Sequence, residues 1–192
     1  MTTPAEPLVF PILANLGNLQ RAMVFVDGEN LATRYGVMLE ERGPQPRPEI
    51  FYRRNAVAWG TLWRSRMSSG LPYIFRTHYY TSIRGDDTAV STLEGEIKGL
   101  GIEAPRVFKR RQDQRRPKGV DISLAVDMLS HAARKNYDIA LLIAGDGDFV
   151  PLVHAVQREG AIVILWALSG GLNDKLVKAA DSFLELDKYF FG

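Results

Sequence analysis

The sequence predicts an α/β fold, a mostly parallel sheet covered by helices on both faces. Three observations predict it. Short, near-continuous apolar runs recur along the chain, and Asp-Ile-Ala-Leu-Leu-Ile-Ala at 138–144 is the strongest. Stretches of helical composition separate these runs, as parallel strands buried on both faces require. The 192 residues, 46% hydrophobic and 24% charged, suit one domain with a sizeable core and argue against a wholly disordered chain.

Taken in order, residues 1–19 read as an N-terminal extension and 20–192 as the domain. Residues 7–20 carry no charge, but no basic stretch precedes them and Pro11 interrupts them, so no secretory signal is read. Residues 22–26 form an apolar strand ending in Asp27, Gly28, Glu29 and Asn30. Helical composition follows at 31–41, a breaker stretch at 43–48, and a second helix is expected over 49–67. Residues 73–81 are aromatic and β-branched, hence a second strand. A helix is expected over 88–100 and a third strand over 102–109, where Pro105 requires an edge or a bulge. Then come a helix at 120–134, the strand at 138–144, a helix at 149–158, a strand at 161–167, a helix at 172–180 and a last short strand at 183–186.

In open parallel sheets, ligands sit beyond the carboxyl ends of the strands. Asp27 ends the first strand, and Asp146 and Asp148 follow the fourth in Ala-Gly-Asp-Gly-Asp-Phe. Asp121 opens the helix after Lys118-Gly119-Val120, and Leu124, Ala125, Met128 and Leu129 place it on the face that packs on the sheet. Each Asp alone would serve as a helix cap or turn residue. Three separated segments with acids at one end of a sheet point further. Crowded carboxylates repel unless a cation lies among them. Oxygen donors without cysteine or nearby histidine favour Mg²⁺ or Mn²⁺ over zinc. Asp127 is a secondary candidate, because six residues on from Asp121 it points about 120° away.

Other chemistries are excluded. The chain has no cysteine, which removes disulfides, thiolate nucleophiles and cysteine-held metals. A reducing compartment is compatible, and a cytoplasmic location is expected. The longest apolar run, 161–168, is far short of the ~20 residues a membrane helix needs, so no membrane partner is expected. No phosphate-binding or dinucleotide-binding glycine loop and no nucleophile elbow is present. His78, His131 and His154 lack metal-ligand spacing, and His78 reads as a packed structural histidine.

The net charge of +2 hides a cluster. Residues 106–118 hold Arg106, Lys109, Arg110, Arg111, Arg115, Arg116 and Lys118 against Asp113, giving +6 and leaving −4 for the rest. This basic loop runs directly into Asp121, an arrangement suited to phosphodiester chemistry beside a metal site. A weaker cluster sets Arg47, Arg53, Arg54, Arg64 and Arg66 among Phe51, Tyr52, Trp59 and Trp63. Stacking on bases is one reading of it. A solvated helix face with the tryptophans packed on the sheet is the preferred one.

The segments MVFVDGEN, KGVDISLAVDML and LLIAGDGDFVPLV, in that order, resemble the NYN domains of the LabA-like group, within the PIN-like nuclease superfamily. SGGLNDKLVKAADSFLEL resembles their end, so the resemblance spans about residues 20–187. It implies a Rossmann-like, PIN-like three-layer α/β/α fold and a metal-dependent nuclease site, usually acting on RNA. Asp27, Asp121, Asp146 and Asp148 match the acidic positions. Asn30 matches an Asn that would steady the first carboxylate or a metal-bound water, and Lys118 a Lys that would touch a phosphate. Asp127 matches a recurring position, while Ala144 stands where many members carry a small hydroxyl residue.

The resulting expectation is an endoribonuclease. One or two Mg²⁺ or Mn²⁺ ions would be held by Asp27, Asp121, Asp146 and Asp148, with single-stranded RNA gripped by Lys109, Arg110, Arg111, Arg115, Arg116 and Lys118. DNA as substrate and a homodimer stay open. The rivals are a silent RNA- or protein-binding module of the same fold, and a metal-dependent phosphatase.

Overall fold

The computed structural model describes residues 21–42, 50–53, 56–59, 73–110 and 119–191. β1 (Arg21–Asp27) runs into α1 (Gly28–Arg42), and a hairpin of β2 (Ile50–Arg53) and β3 (Ala56–Trp59) follows. Next come β4 (Tyr73–Arg84), α2 (Asp87–Gly99), β5 (Ala104–Arg110), α3 (Val120–Ala133) and β6 (Ile139–Ile143). A 3-10 turn at Gly147–Phe149 leads into α4 (Val150–Arg158). β7 (Ile162–Ala167), α5 (Asp174–Ala179), β8 (Ser182–Glu185) and α6 (Asp187–Phe190) complete the described chain.

Six strands form a parallel sheet in the order β5-β4-β1-β6-β7-β8. Alternation along β1 builds the layers on either side of it. Ala22, Val24 and Val26 pack with Leu31, Tyr35, Leu93 and Ile97 of α1 and α2. Met23 and Phe25 pack with Leu124, Met128, Val153 and Val156 of α3 and α4. Two cores with a sheet between them are the three-layer α/β/α, Rossmann-like arrangement that the sequence predicts. β5 is an edge strand, as Pro105 requires. Among the described residues, no helix is long and apolar enough to cross a membrane.

The helix expected over 49–67 is corrected. Residues 50–53 and 56–59 pair antiparallel, with Ile50 opposite Trp59 and Arg53 opposite Ala56. Ile50, Phe51 and Tyr52 are β-branched or aromatic and favour a strand. Tyr52 sets its ring edge-on to Tyr35 of α1, with centroids 5.0 Å apart, and Ala56 is fully buried. Residues 60–67 of that expected helix lie outside the described residues, as does the 1–19 extension.

Candidate functional site

β1 carries Asp27 to the carboxyl end of the sheet. β4 pairs on one side of β1 and β6 on the other, so the strand order reverses here. The crevice beyond such a point is the usual ligand site of an open α/β sheet. Val26 pairs with Ile143, which brings Asp27 level with the start of the Ala144–Asp148 connection. Alternation after Met23 and Phe25 turns Asp27 toward the α3 side. The chain can enter α1 so abruptly because residue 28 is glycine, for the Tyr79 ring occupies the space a Cβ would need.

Asp27 is only 4% exposed. Its Oδ1 accepts the backbone N–H of Asn30 at 3.0 Å, so it also caps α1. That bond favours the charged form, but burial outweighs it. With repulsion from Asp121, Glu29 and Asp146 added, the carboxyl is pushed up to about 7. The Asn30 side chain reaches the other way, its Oδ1 accepting the N–H of Gly145 at 3.1 Å. One residue thus steadies the first carboxylate and ties it to the tip of β6. Ala144, just before that tip, is buried and brings no side-chain hydrogen bond.

Asp27, Asp121 and Asp146 line one cleft of about 180 Å³, together with Glu29, Asn30, Thr33, Arg34 and Val120. Asp121 reaches it from the first turn of α3, which starts at Gly119 in a left-handed conformation (φ 127°) that suits glycine. The expectation that Asp121 packs on the sheet is corrected. The buried stripe is Val120, Leu124, Met128 and Ala132, and Asp121, one position on, is exposed at the cleft rim. Asp146 is partly buried, and its Oδ1 accepts the N–H of Asp148 at 3.0 Å. Asp148 itself is exposed and does not line the cleft, so three of the four predicted acids come together.

Glu29 is the acid that sequence reasoning missed. It lines the cleft, accepts the Ser82 hydroxyl at 3.0 Å and pairs with Arg110. Its position two residues after Asp27 was the only signal in the sequence. Among the described residues, no three acids or histidines stand close enough to encircle an ion as they are. The donor set nonetheless suits a hard divalent cation. A buried carboxyl driven to about 7, in part by its acidic neighbours, is relieved by positive charge, and every donor is oxygen.

The remaining predicted residues fall elsewhere. Asp127 accepts the Tyr80 hydroxyl at 2.7 Å and pairs with Arg106 at 3.1 Å, so it is a structural ion-pair group away from the cleft. Residues 106–110 are part of β5 rather than of a basic loop. Lys109 pairs with Asp87 at 2.9 Å, and Arg110 binds Glu29 and Ser82. Strand alternation points these side chains at acids on neighbouring elements. Arg111, Arg115, Arg116 and Lys118 lie outside the described residues, as do Arg47, Arg54, Arg64, Arg66 and Trp63. Arg53 is held by Glu96 at 2.7 Å and lies over the Phe51 ring.

The histidines gain a relationship that their spacing hid. His78 stacks on Phe25 with centroids 5.2 Å apart, and the His131 ring lies 5.3 Å from it. Burial, with His131 adding to it, lowers His78 to about 4. It is therefore a neutral core group, as its place in a strand predicts.

Comparison with known proteins adds three findings. The family model described as NYN domain matches residues 21–187. Among curated proteins, no match is found. The fold is similar to the crystal structure of a protein of unknown function from Vibrio parahaemolyticus. The TM-score is 0.62 and the identity 20%, over 92% of this chain and 98% of that one.

Proposed function

Because the chain belongs to the NYN domain family, within the PIN-like nuclease superfamily, we propose that it is a metal-dependent nuclease that hydrolyses phosphodiester bonds of single-stranded RNA. One observation carries the reading. The buried Asp27 stands at the strand-order switch and shares a cleft with Asp121 and Asp146. A purely structural cap would sit more cheaply on a neutral side chain. The choice of RNA rests on the resemblance of the motifs.

Asp27, Asp121 and Asp146 would hold the cation. When bound, Mg²⁺ or Mn²⁺ supplies Lewis acidity at the phosphoryl oxygens and acidifies water. The chain supplies the positioning. Asn30 fixes the Asp27 carboxylate and the β6 tip in one frame. Arg34, on the cleft wall, offers a guanidinium to a non-bridging phosphate oxygen. The net reaction adds water across one P–O bond, leaving one phosphate end and one hydroxyl end.

The test is end-labelled single-stranded RNA incubated with the protein in Mn²⁺, Mg²⁺ or EDTA. Asp146→Asn, prepared in parallel, controls for a contaminating nuclease. Cleavage that needs metal and vanishes in the variant is expected. Salt-sensitive binding without cleavage would favour a silent RNA-binding module instead. Neither binding nor cleavage would overturn the RNA reading.

A further inference from the structure

A second and larger groove, of about 900 Å³, lies beside the acidic cleft. The end of β4, the first half of α2, the end of β5 and the hairpin enclose it, and its polar lining is Arg53, Arg84, Arg110, Asp86, Thr88 and Thr92. Its size lies at the upper end of the roughly 300–1,000 Å³ found for ligand sites. It opens at the same end of the sheet as Asp27, since Arg84 and Arg110 are the last residues of β4 and β5 and face each other in register.

Arg110 is the wall between the two. On the cleft side its Nη2 binds Glu29 and the Ser82 hydroxyl. Its side chain is 14% exposed, and its Nε is a buried donor with no hydrogen-bond partner among the described residues. That Nε is shut away from the groove, but Arg110 lines the groove, and its side chain contributes positive charge there that attracts a phosphate. Arg84 adds an exposed guanidinium on the same wall. Thr88 and Thr92 add hydroxyls that bond sugar or phosphate oxygens.

Resting on the nuclease reading above, we propose that this groove seats the nucleotides next to the scissile bond, with Arg110 and Arg84 against their backbone phosphates. The strand then passes from the acidic cleft over Arg110 into the groove. The hairpin closes the far side, where a helix is expected from the sequence.

The test reads binding alone. A short fluorescein-labelled oligouridylate is titrated in EDTA at several salt concentrations, with anisotropy as the signal. Arg84→Glu is expected to weaken binding about tenfold and to reduce the slope of log affinity against log salt by about 0.7 for each phosphate no longer neutralised. Thr92→Trp, which narrows the groove without changing charge, is expected to weaken binding several-fold. Lys98→Glu, an equal charge change at the far end of α2, is expected to leave the affinity as it was. Melting curves establish that each variant is folded. Wild-type affinity in both groove variants, or an equal loss in Lys98→Glu, would overturn the proposal, as would a wild-type protein that does not bind the oligonucleotide. The nuclease reading fails separately, if the wild type binds in EDTA but does not cut when metal is restored.

Discussion

Asp27→Asn tests the tension at the centre of the site, because it should stabilise the metal-free protein while removing the cleavage proposed for it. The Asp27 carboxyl ionises at about 7 in the fold, against about 3.9 in an unfolded chain. Each tenfold change in proton affinity corresponds to about 1.4 kcal/mol, so holding this group ionised above pH 7 costs about 4 kcal/mol. Asn removes the charge and keeps the oxygen that accepts the Asn30 N–H. It also adds an amide N–H₂, and a buried donor left unpaired costs about 1–3 kcal/mol. The net gain is about 2 kcal/mol, or about 4–8 °C in Tm for a chain of this length. The folded-state value lies above the unfolded one, so this group's contribution is full in acid and lost as pH rises through 7. The variant's advantage should therefore be larger at mildly alkaline pH than at mildly acidic pH. Urea unfolding in EDTA at the two pH values reads this, and adding Mn²⁺ should reverse the ranking. An Asp27→Asn protein that is less stable than wild type in alkaline EDTA would refute the reasoning.

Other perturbations separate scaffold from site. Asp127→Asn should lose the Arg106 pair and weaken the Tyr80 bond, costing about 1–2 kcal/mol in unfolding experiments while cleavage persists. Loss of cleavage in a folded Asp127→Asn protein would return it to the site. His78, held at about 4 in the fold, should contribute stability that is full above its unfolded value of about 6.5 and lost as pH falls toward 4, up to about 3 kcal/mol. His78→Phe should flatten that acid limb, and an unchanged limb would place the sensitivity elsewhere. Gly28→Ala drives a methyl into the Tyr79 ring and should cost about 2–3 kcal/mol or more, read as a lowered Tm.

The central strands were legible because their chemistry is simple. Runs such as residues 139–143 are buried on both faces and tolerate only apolar side chains, so composition alone locates them. Asp27, Asp121 and Asp146 were legible because the first ends such a strand, the second opens a helix and the third lies in the turn just after β6. Asp127 was separable from Asp121 by helical geometry, and its bond to Tyr80 agrees. Residues 50–59 were not legible, since Ile-Phe-Tyr-Arg and Ala-Val-Ala-Trp are short, mainly apolar runs that periodicity cannot tell from pieces of a helix. Long-range pairs were hidden as well. Glu29 reads as an ordinary first-turn acid until Arg110, 81 positions away, is placed beside it. His78 and His131 show no metal spacing, yet their rings lie 5.3 Å apart across the β4–α3 interface. Asp148 depended on which way a single turn of 3-10 helix points its side chains, which composition does not fix.

The position of β1 has a consequence for how the protein is made. It is the first described strand to leave the ribosome, yet it lies in the interior of the sheet, and later strands add outward on both sides of it. Its second neighbour, β6, begins at Ile139, more than a hundred residues later. Until then β1 presents a bare apolar edge, and bare edges recruit other chains. Pairing so distant in sequence also forms slowly. The acids that share the cleft meet only after β6 and its following turn have been synthesised, because Asn30 needs Gly145 to lock the frame. An interrupted chain that stops short of this point carries the sticky edge without the assembled cleft. Its hazard is aggregation.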